Sequence, residues 1–128
     1  MDIRIKIVLE LIDHDLRAKH EPRAMAKHVK LSISRFYDIF RNETGTVPAR
    51  YIRDLRLQQA KRLLLSSHLS VKEIADCVGI QDVSHFVRDF EKRYGISPRR
   101  FRLEFGFPRV SEPYVAGPEN SPTNRSFG

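Results

Sequence analysis

"GIQDVSHFVRDFEKRYGISPRRFR" (Gly79–Arg102) sets out, in order, a glycine, a polar stretch, two phenylalanines four apart, a second glycine and a proline. Nearly the same order stands about fifty residues earlier, in "AKHVKLSISRFYDIFRNETGTVPARY" (Ala26–Tyr51). Ala26 and Val29 match Ala75 and Val78 at an offset of 49, whereas Phe36, Phe40, Gly45, Pro48 and Tyr51 match Phe86, Phe90, Gly95, Pro98 and Phe101 at an offset of 50. The second copy therefore carries one extra residue between Ile80 and Phe86, where a turn is expected, and a turn is where a structural repeat tolerates an insertion.

Around the repeat, residues 1–106 show no period-two alternation, and apolar residues recur at three- and four-residue spacing. The fold class is all-α, with seven helices. The first is expected over roughly Asp2 to Ala18, with Ile7, Leu11 and Leu16 among its apolar positions. A short second helix covers about Arg23 to Val29, with Pro22 at its first position, where no amide donor is needed. The third follows Ser32 as cap and stops at Gly45. A long fourth helix, about 48–66, starts at Pro48. The fifth is "SVKEIADCV", where Ser70 and Glu73 make a capping box, the sixth follows Asp82 and ends near Gly95, and the seventh starts at Pro98.

Each copy thus reads as a short helix, a tight turn and a longer helix with an aromatic stripe, which is helix-turn-helix geometry. The units lie at about 22–45 and 70–95, with the fourth helix between them in the chain. Two αα-hairpins packed in a plain bundle would give the same periodicity. The residues off the stripe argue for more than packing. They are Ser34, Arg35, Tyr37, Asp38 and Arg41 in one copy and Val83, Ser84, Val87, Arg88 and Lys92 in the other. Short polar groups, an aromatic ring and arginines early in such a helix suit base edges, and later cations suit phosphates.

Charge agrees with a polyanionic partner. Lysine plus arginine number 23 against 16 acidic residues, for a net +7 in 128 residues. From Phe107 onward, "FPRVSEPYVAGPENSPTNRSFG" holds four of the seven prolines and no apolar periodicity, so a flexible tail is expected over 107–128. Its charges cancel, which puts the whole excess on residues 1–106. No run approaches the roughly 20 apolar residues of a membrane span, and the N-terminus interleaves charges through its apolar residues, unlike a signal peptide. A cytoplasmic, nucleoid-associated protein without a membrane partner is expected.

Catalytic chemistry finds little support. Cys77 is a single cysteine on a short helix among Ile74, Ala75 and Val78, and is read as a small core or half-buried residue. The five histidines lack metal-ligand spacing; Glu10 and Asp13 are read as solvated helix face. No phosphate loop or Ser/His/Asp arrangement stands out. An enzyme, a metal site, a cofactor and a small-molecule ligand within this chain are all unexpected.

The second copy resembles the signature of the AraC/XylS-type transcription regulators. Ala75, Val78-Gly79, Asp82, Phe86-Val87-Arg88-Asp89-Phe90, Gly95, Ser97-Pro98 and Phe101-Arg102 fall in its order, and "AKHVKLSISRFYDIFRNETG", Arg56, Ala60 and Leu63-Leu64 extend the resemblance over about residues 5–105. The resemblance implies a bilobed domain that binds double-stranded DNA through two recognition helices in successive major grooves, and a protein that usually activates transcription by touching RNA polymerase. It carries base contacts onto Ser34, Tyr37 and Asp38, and onto Val83, Ser84, His85, Val87 and Arg88. The family commonly joins this unit to a larger sensing domain, so a stand-alone member and a fragment of a larger regulator both fit. Three residues depart from the pattern: Lys30 where the second copy has Gly79, Glu91 where a basic residue is common, and the acidic Asp38. The alternative is a basic helical module that binds RNA or an acidic protein with no preference among duplexes.

Overall fold

A computed structural model describes residues 1–106, which contain seven α-helices. They are α1 (Ile3–His14), α2 (Pro22–His28), α3 (Ile33–Thr44), α4 (Pro48–Ser66), α5 (Val71–Cys77), α6 (Val83–Tyr94) and α7 (Pro98–Phe105). The flexible tail expected over 107–128 lies outside the described residues.

Local chemistry sets most boundaries. The Ser32 hydroxyl accepts from the Arg35 amide, the Asp82 carboxylate from His85 and the Ser97 hydroxyl from Arg100, each covering an amide that the first turn leaves open. Ser70 and Glu73 form the expected reciprocal box on α5. Both α3 and α6 stop at a glycine with left-handed backbone, Gly45 and Gly95.

α1 differs from expectation. Asp2 is its cap, accepting from the Arg4 amide, and the helix ends at His14 rather than near Ala18. Beyond it the chain turns, with the Ala18 amide donating to the Asp15 carbonyl, and Arg56 of α4 takes the Leu16 and Ala18 carbonyls at 3.0 and 2.8 Å. Those carbonyls are drawn off the helical path. The buried face of α1 is Ile5, Val8 and Ile12, while Ile7 and Leu11 face outward.

Two cores result. The first gathers Ile5, Val8, Ile12, Met25, Ala26, Phe36, Phe40 and Ile52; the second gathers Leu57, Ala60, Leu64, Ile74, Ala75, Val78, Phe86, Phe90 and Phe101. α4 belongs to both, with its first half in one and its second half in the other. Leu57, Ala60 and Leu64 repeat the spacing of Ile5, Val8 and Ile12 at an offset of 52. The repeated unit is therefore three helices, α1–α3 and then α4–α6, each closed by the start of the next helix. The four phenylalanines of α3 and α6 are fully buried, and truncating any one to alanine is expected to cost about 3–5 kcal/mol.

Candidate nucleic-acid interface

Each turn before a long helix is pinned by two backbone bonds. In the first, the Lys30 amide donates to the Lys27 carbonyl and the Leu31 amide to Ala26; in the second, the Gly79 amide donates to Asp76 and the Ile80 amide to Ala75. The caps that follow are Ser32 and Asp82, so the extra residue of the second copy is Gln81. With the turns alike, α3 and α6 leave them in the same register. Phe36 and Phe40 point inward as Phe86 and Phe90 do, and burial alternates in the same order along both helices.

That register puts Ser34, Arg35, Asp38 and Arg41 on the outward face of α3, and Ser84, His85, Arg88 and Lys92 on that of α6, all exposed. Tyr37, Val83 and Val87 are corrections to the reading of these positions as wholly off the apolar stripe. They are half-buried, with Val83 and Val87 packed against the second core and the Tyr37 ring 6.2 Å from that of Phe36. Side chains next to the stripe at helical spacing are drawn partly over the core.

Position by position, Ser34 stands where Ser84 does, Arg35 where His85 does, Asp38 where Arg88 does and Arg41 where Glu91 does. The polar frame is kept and the charge is exchanged. Among the described residues, the side chains of Arg35, Asp38, Arg41, Arg88 and Lys92 have no hydrogen bond or ion pair. Asp38 is thus not neutralised by Arg35 or Arg41, nor Arg88 by Asp89 or Glu91. Other arginines hold the fold. Arg56 and Arg102 clasp backbone carbonyls, and Arg93 faces Asp54 across α6 and α4 at 3.8 Å. Burial lowers the Arg56 guanidinium below its ordinary value, consistent with a structural role.

Cys77 is also a correction, because it is exposed rather than in the core. It lies at the end of a seven-residue helix whose buried residues are Ile74 and Ala75, and it faces a cleft of about 470 Å³ between the lobes, with Arg17, Leu55, Gln59 and Arg62 also on its walls. Among the described residues no cluster of histidine, cysteine and carboxylate side chains is arranged to hold a metal, and no helix is long and apolar enough to cross a membrane. Sequence reasoning missed the bonds of Arg56 to the Leu16 and Ala18 carbonyls and of Arg17 to the Asp76 carboxylate, because a hydrogen bond between residues far apart in the chain leaves no periodic trace. It also missed the equivalence of α1 with the second half of α4, which the matched Ile5/Val8/Ile12 and Leu57/Ala60/Leu64 spacings could have disclosed.

Two helix-turn-helix units in tandem, sharing a long helix and presenting like faces, define a class of helical DNA-binding domains. A helix-turn-helix domain model matches residues 25–104. Transcriptional activator NphR of Rhodococcus sp is 35% identical over 101 residues, covering 79% of this chain and 29% of that protein. The arabinose operon regulatory protein of Salmonella typhimurium is 34% identical over 103 residues, covering 80% of this chain and 37% of that protein. Among solved structures, the DNA-binding domain of AdpA, a global transcriptional factor, in complex with a target DNA is 26% identical with a TM-score of 0.76, covering 80% of this chain and 92% of that one. The chain belongs to the AraC/XylS family of DNA-binding transcription regulators. It spans about a third of the length of these curated relatives.

Proposed function

We propose that this protein reads a specific, asymmetric DNA sequence by inserting α3 and α6 into successive major grooves, and that it activates transcription by also touching RNA polymerase. The observation that carries the reading is the matched pair of outward faces, equal in register and different in chemistry, with their charged side chains unengaged among the described residues. An α-helix with its side chains is roughly 10–12 Å across and fits a major groove about 12 Å wide. Residues 1–106 form the reading domain, with units at about 22–45 and 70–95 joined by α4.

In this reading Ser34, Tyr37 and Asp38 meet bases of one half-site, and Val83, Ser84, His85, Val87 and Arg88 meet those of the other. Arg35 lies beside them, and Arg41 and Lys92 hold phosphates. Arg88 suits a guanine, whose O6 and N7 both accept; Asp38 suits the amino donor of a cytosine. AdpA's complex with a target DNA and the name "transcriptional activator" of a relative support DNA as ligand and activation as outcome. The protein works in the cytoplasm on the nucleoid, and its role involves binding and no catalysis.

The test is selection of bound duplexes from a random pool, followed by footprinting of the enriched sequence. One asymmetric motif protected over about two helical turns, roughly 20 base pairs, is expected. Protection confined to a single groove would contradict the two-lobed reading. Equal binding to RNA and to unrelated duplexes would favour the basic helical module instead.

A further inference from the structure

The two turns share their backbone bonds, yet only the second holds a glycine. Lys30 sits in the first at φ 61 and Gly79 in the second at φ 88, both left-handed. Lys30 demonstrates that this turn accepts a side chain, at the modest strain a non-glycine residue meets there. The φ of 88 at Gly79 strains any side chain there, and its surroundings add a second obstacle. A Cβ on Gly79 would stand 2.9 Å from the Arg17 carbonyl oxygen and 3.1 Å from the Arg17 Cα, backbone atoms that cannot swing aside, whereas one on Gly45 or Gly95 would meet nothing within 4 Å.

Arg17 lies in the loop after α1, which belongs to the first lobe. Leu16 packs against the first core, and Arg56 holds the loop by the Leu16 and Ala18 carbonyls. The Arg17 side chain reaches Asp76 of α5 at 3.3 Å, but both ends are exposed and such a pair adds little. The close backbone approach at Gly79 is the principal feature.

The geometry points to a positioning role: the loop at 15–18 is a strut from the first lobe that bears on Gly79, fixing α6 relative to α3 and hence the spacing of the two half-sites. It rests on the DNA-reading function proposed above. A shared helix alone leaves bending and twisting free between two small cores, and a second point of contact removes that freedom before DNA binds.

The experiment has two arms on the full chain. Spin labels at His28→Cys on α2 and Lys72→Cys on α5, in a Cys77→Ser background, report the distance between lobes without DNA. Gly79→Asn adds a Cβ while tolerating the left-handed backbone; Lys30→Asn is the matched control in the other turn, and Arg56→Lys frees the loop should Gly79→Asn fold poorly. A single narrow distance is expected for the parent and for Lys30→Asn, and a broadened or shifted one for Gly79→Asn and Arg56→Lys. In the second arm, the selected duplex is lengthened or shortened by one base pair between half-sites. The parent should lose roughly tenfold in affinity, about 1.4 kcal/mol, and the two strut variants should discriminate by no more than roughly twofold. A distance as narrow in both strut variants as in the parent and unshifted overturns the strut, and so does a broadened or shifted distance without relaxed spacing. If the parent enriches no duplex, the DNA-reading proposal falls, and the distance widths still judge the strut by themselves.

Discussion

At the scale of single residues, the exchange between Asp38 and Arg88 bears most directly on specificity. Both sit two residues after one stripe phenylalanine and two before the next, both are exposed, and neither is engaged by a neighbour among the described residues. An arginine gripping guanine O6 and N7 discriminates by about 1–3 kcal/mol, and only at the base pair it touches. Arg88→Ala should therefore abolish preference at one position of the second half-site and leave the others intact, as measured by binding to the selected duplex and its single-base variants. Asp38→Arg should move the favoured base at the equivalent position of the first half-site from cytosine to guanine. A uniform loss over all variants would mark Arg88 as a phosphate clamp. The residues themselves were legible in the sequence, since two phenylalanines four apart fix which positions face away. The half-burial of Tyr37, Val83 and Val87 was not, because it depends on how far the neighbouring helix reaches over the stripe's edge.

At the scale of elements, caps were legible and faces were not always so. Ser32, Ser70 and Asp82 act as their local sequence predicts, because a cap needs only its own first turn, and Ser97, unmarked as a cap in the sequence reading, follows the same rule. α1 carries two apolar sets at helical spacing, Ile3/Ile7/Leu11 and Ile5/Val8/Ile12, and only packing against α3 and its neighbours selects the second. The end of α1 was equally hidden, since the loop beyond it is held by Arg56 about forty residues away. α5 depends strongly on its cap, because seven residues are too few to hold a helix unaided. Ser70→Ala should destabilise the protein by about 1 kcal/mol in urea unfolding. The Ser70 amide and hydroxyl also hold the Glu73 carboxyl below its usual value. A depressed carboxyl adds stability that is present above its unfolded value and lost as pH falls through the folded one. Glu73→Gln should thus trail the parent in stability at neutral pH, and the gap should close on acidification; a gap constant from pH 7 to pH 3 would count against the box.

At the scale of the whole molecule, the tandem plan was legible because the same turn chemistry recurs at a fixed offset, while the contact between lobes was not, because it is made by backbone atoms of Arg17 and by the absence of a side chain on Gly79. The net charge has a plainer consequence. The +7 resides on residues 1–106, and α3 and α6 each carry an exposed cation, unpaired among the described residues, near their C-terminal ends, Arg41 in α3 and Lys92 in α6. These two occupy neighbouring rather than equivalent positions, since Glu91 stands opposite Arg41 and Asn42 opposite Lys92. In the proposed reading each lobe keeps one such unpaired cation beyond its base-facing turns, where the helix would rise out of the groove past the sugar-phosphate backbone. A phosphate contact adds affinity without sequence information and releases counterions, so the logarithm of affinity falls with the logarithm of salt by about 0.9 per contact on duplex DNA. Arg41→Ala and Lys92→Ala should each weaken binding to every duplex by the same factor and make the salt slope shallower by about 0.9, and the double variant should add the two effects. Titrations at several salt concentrations, on the selected duplex and on a scrambled one, measure both quantities. An unchanged slope would remove the residue from the phosphate contacts, and a shifted base preference would move it among those that read sequence.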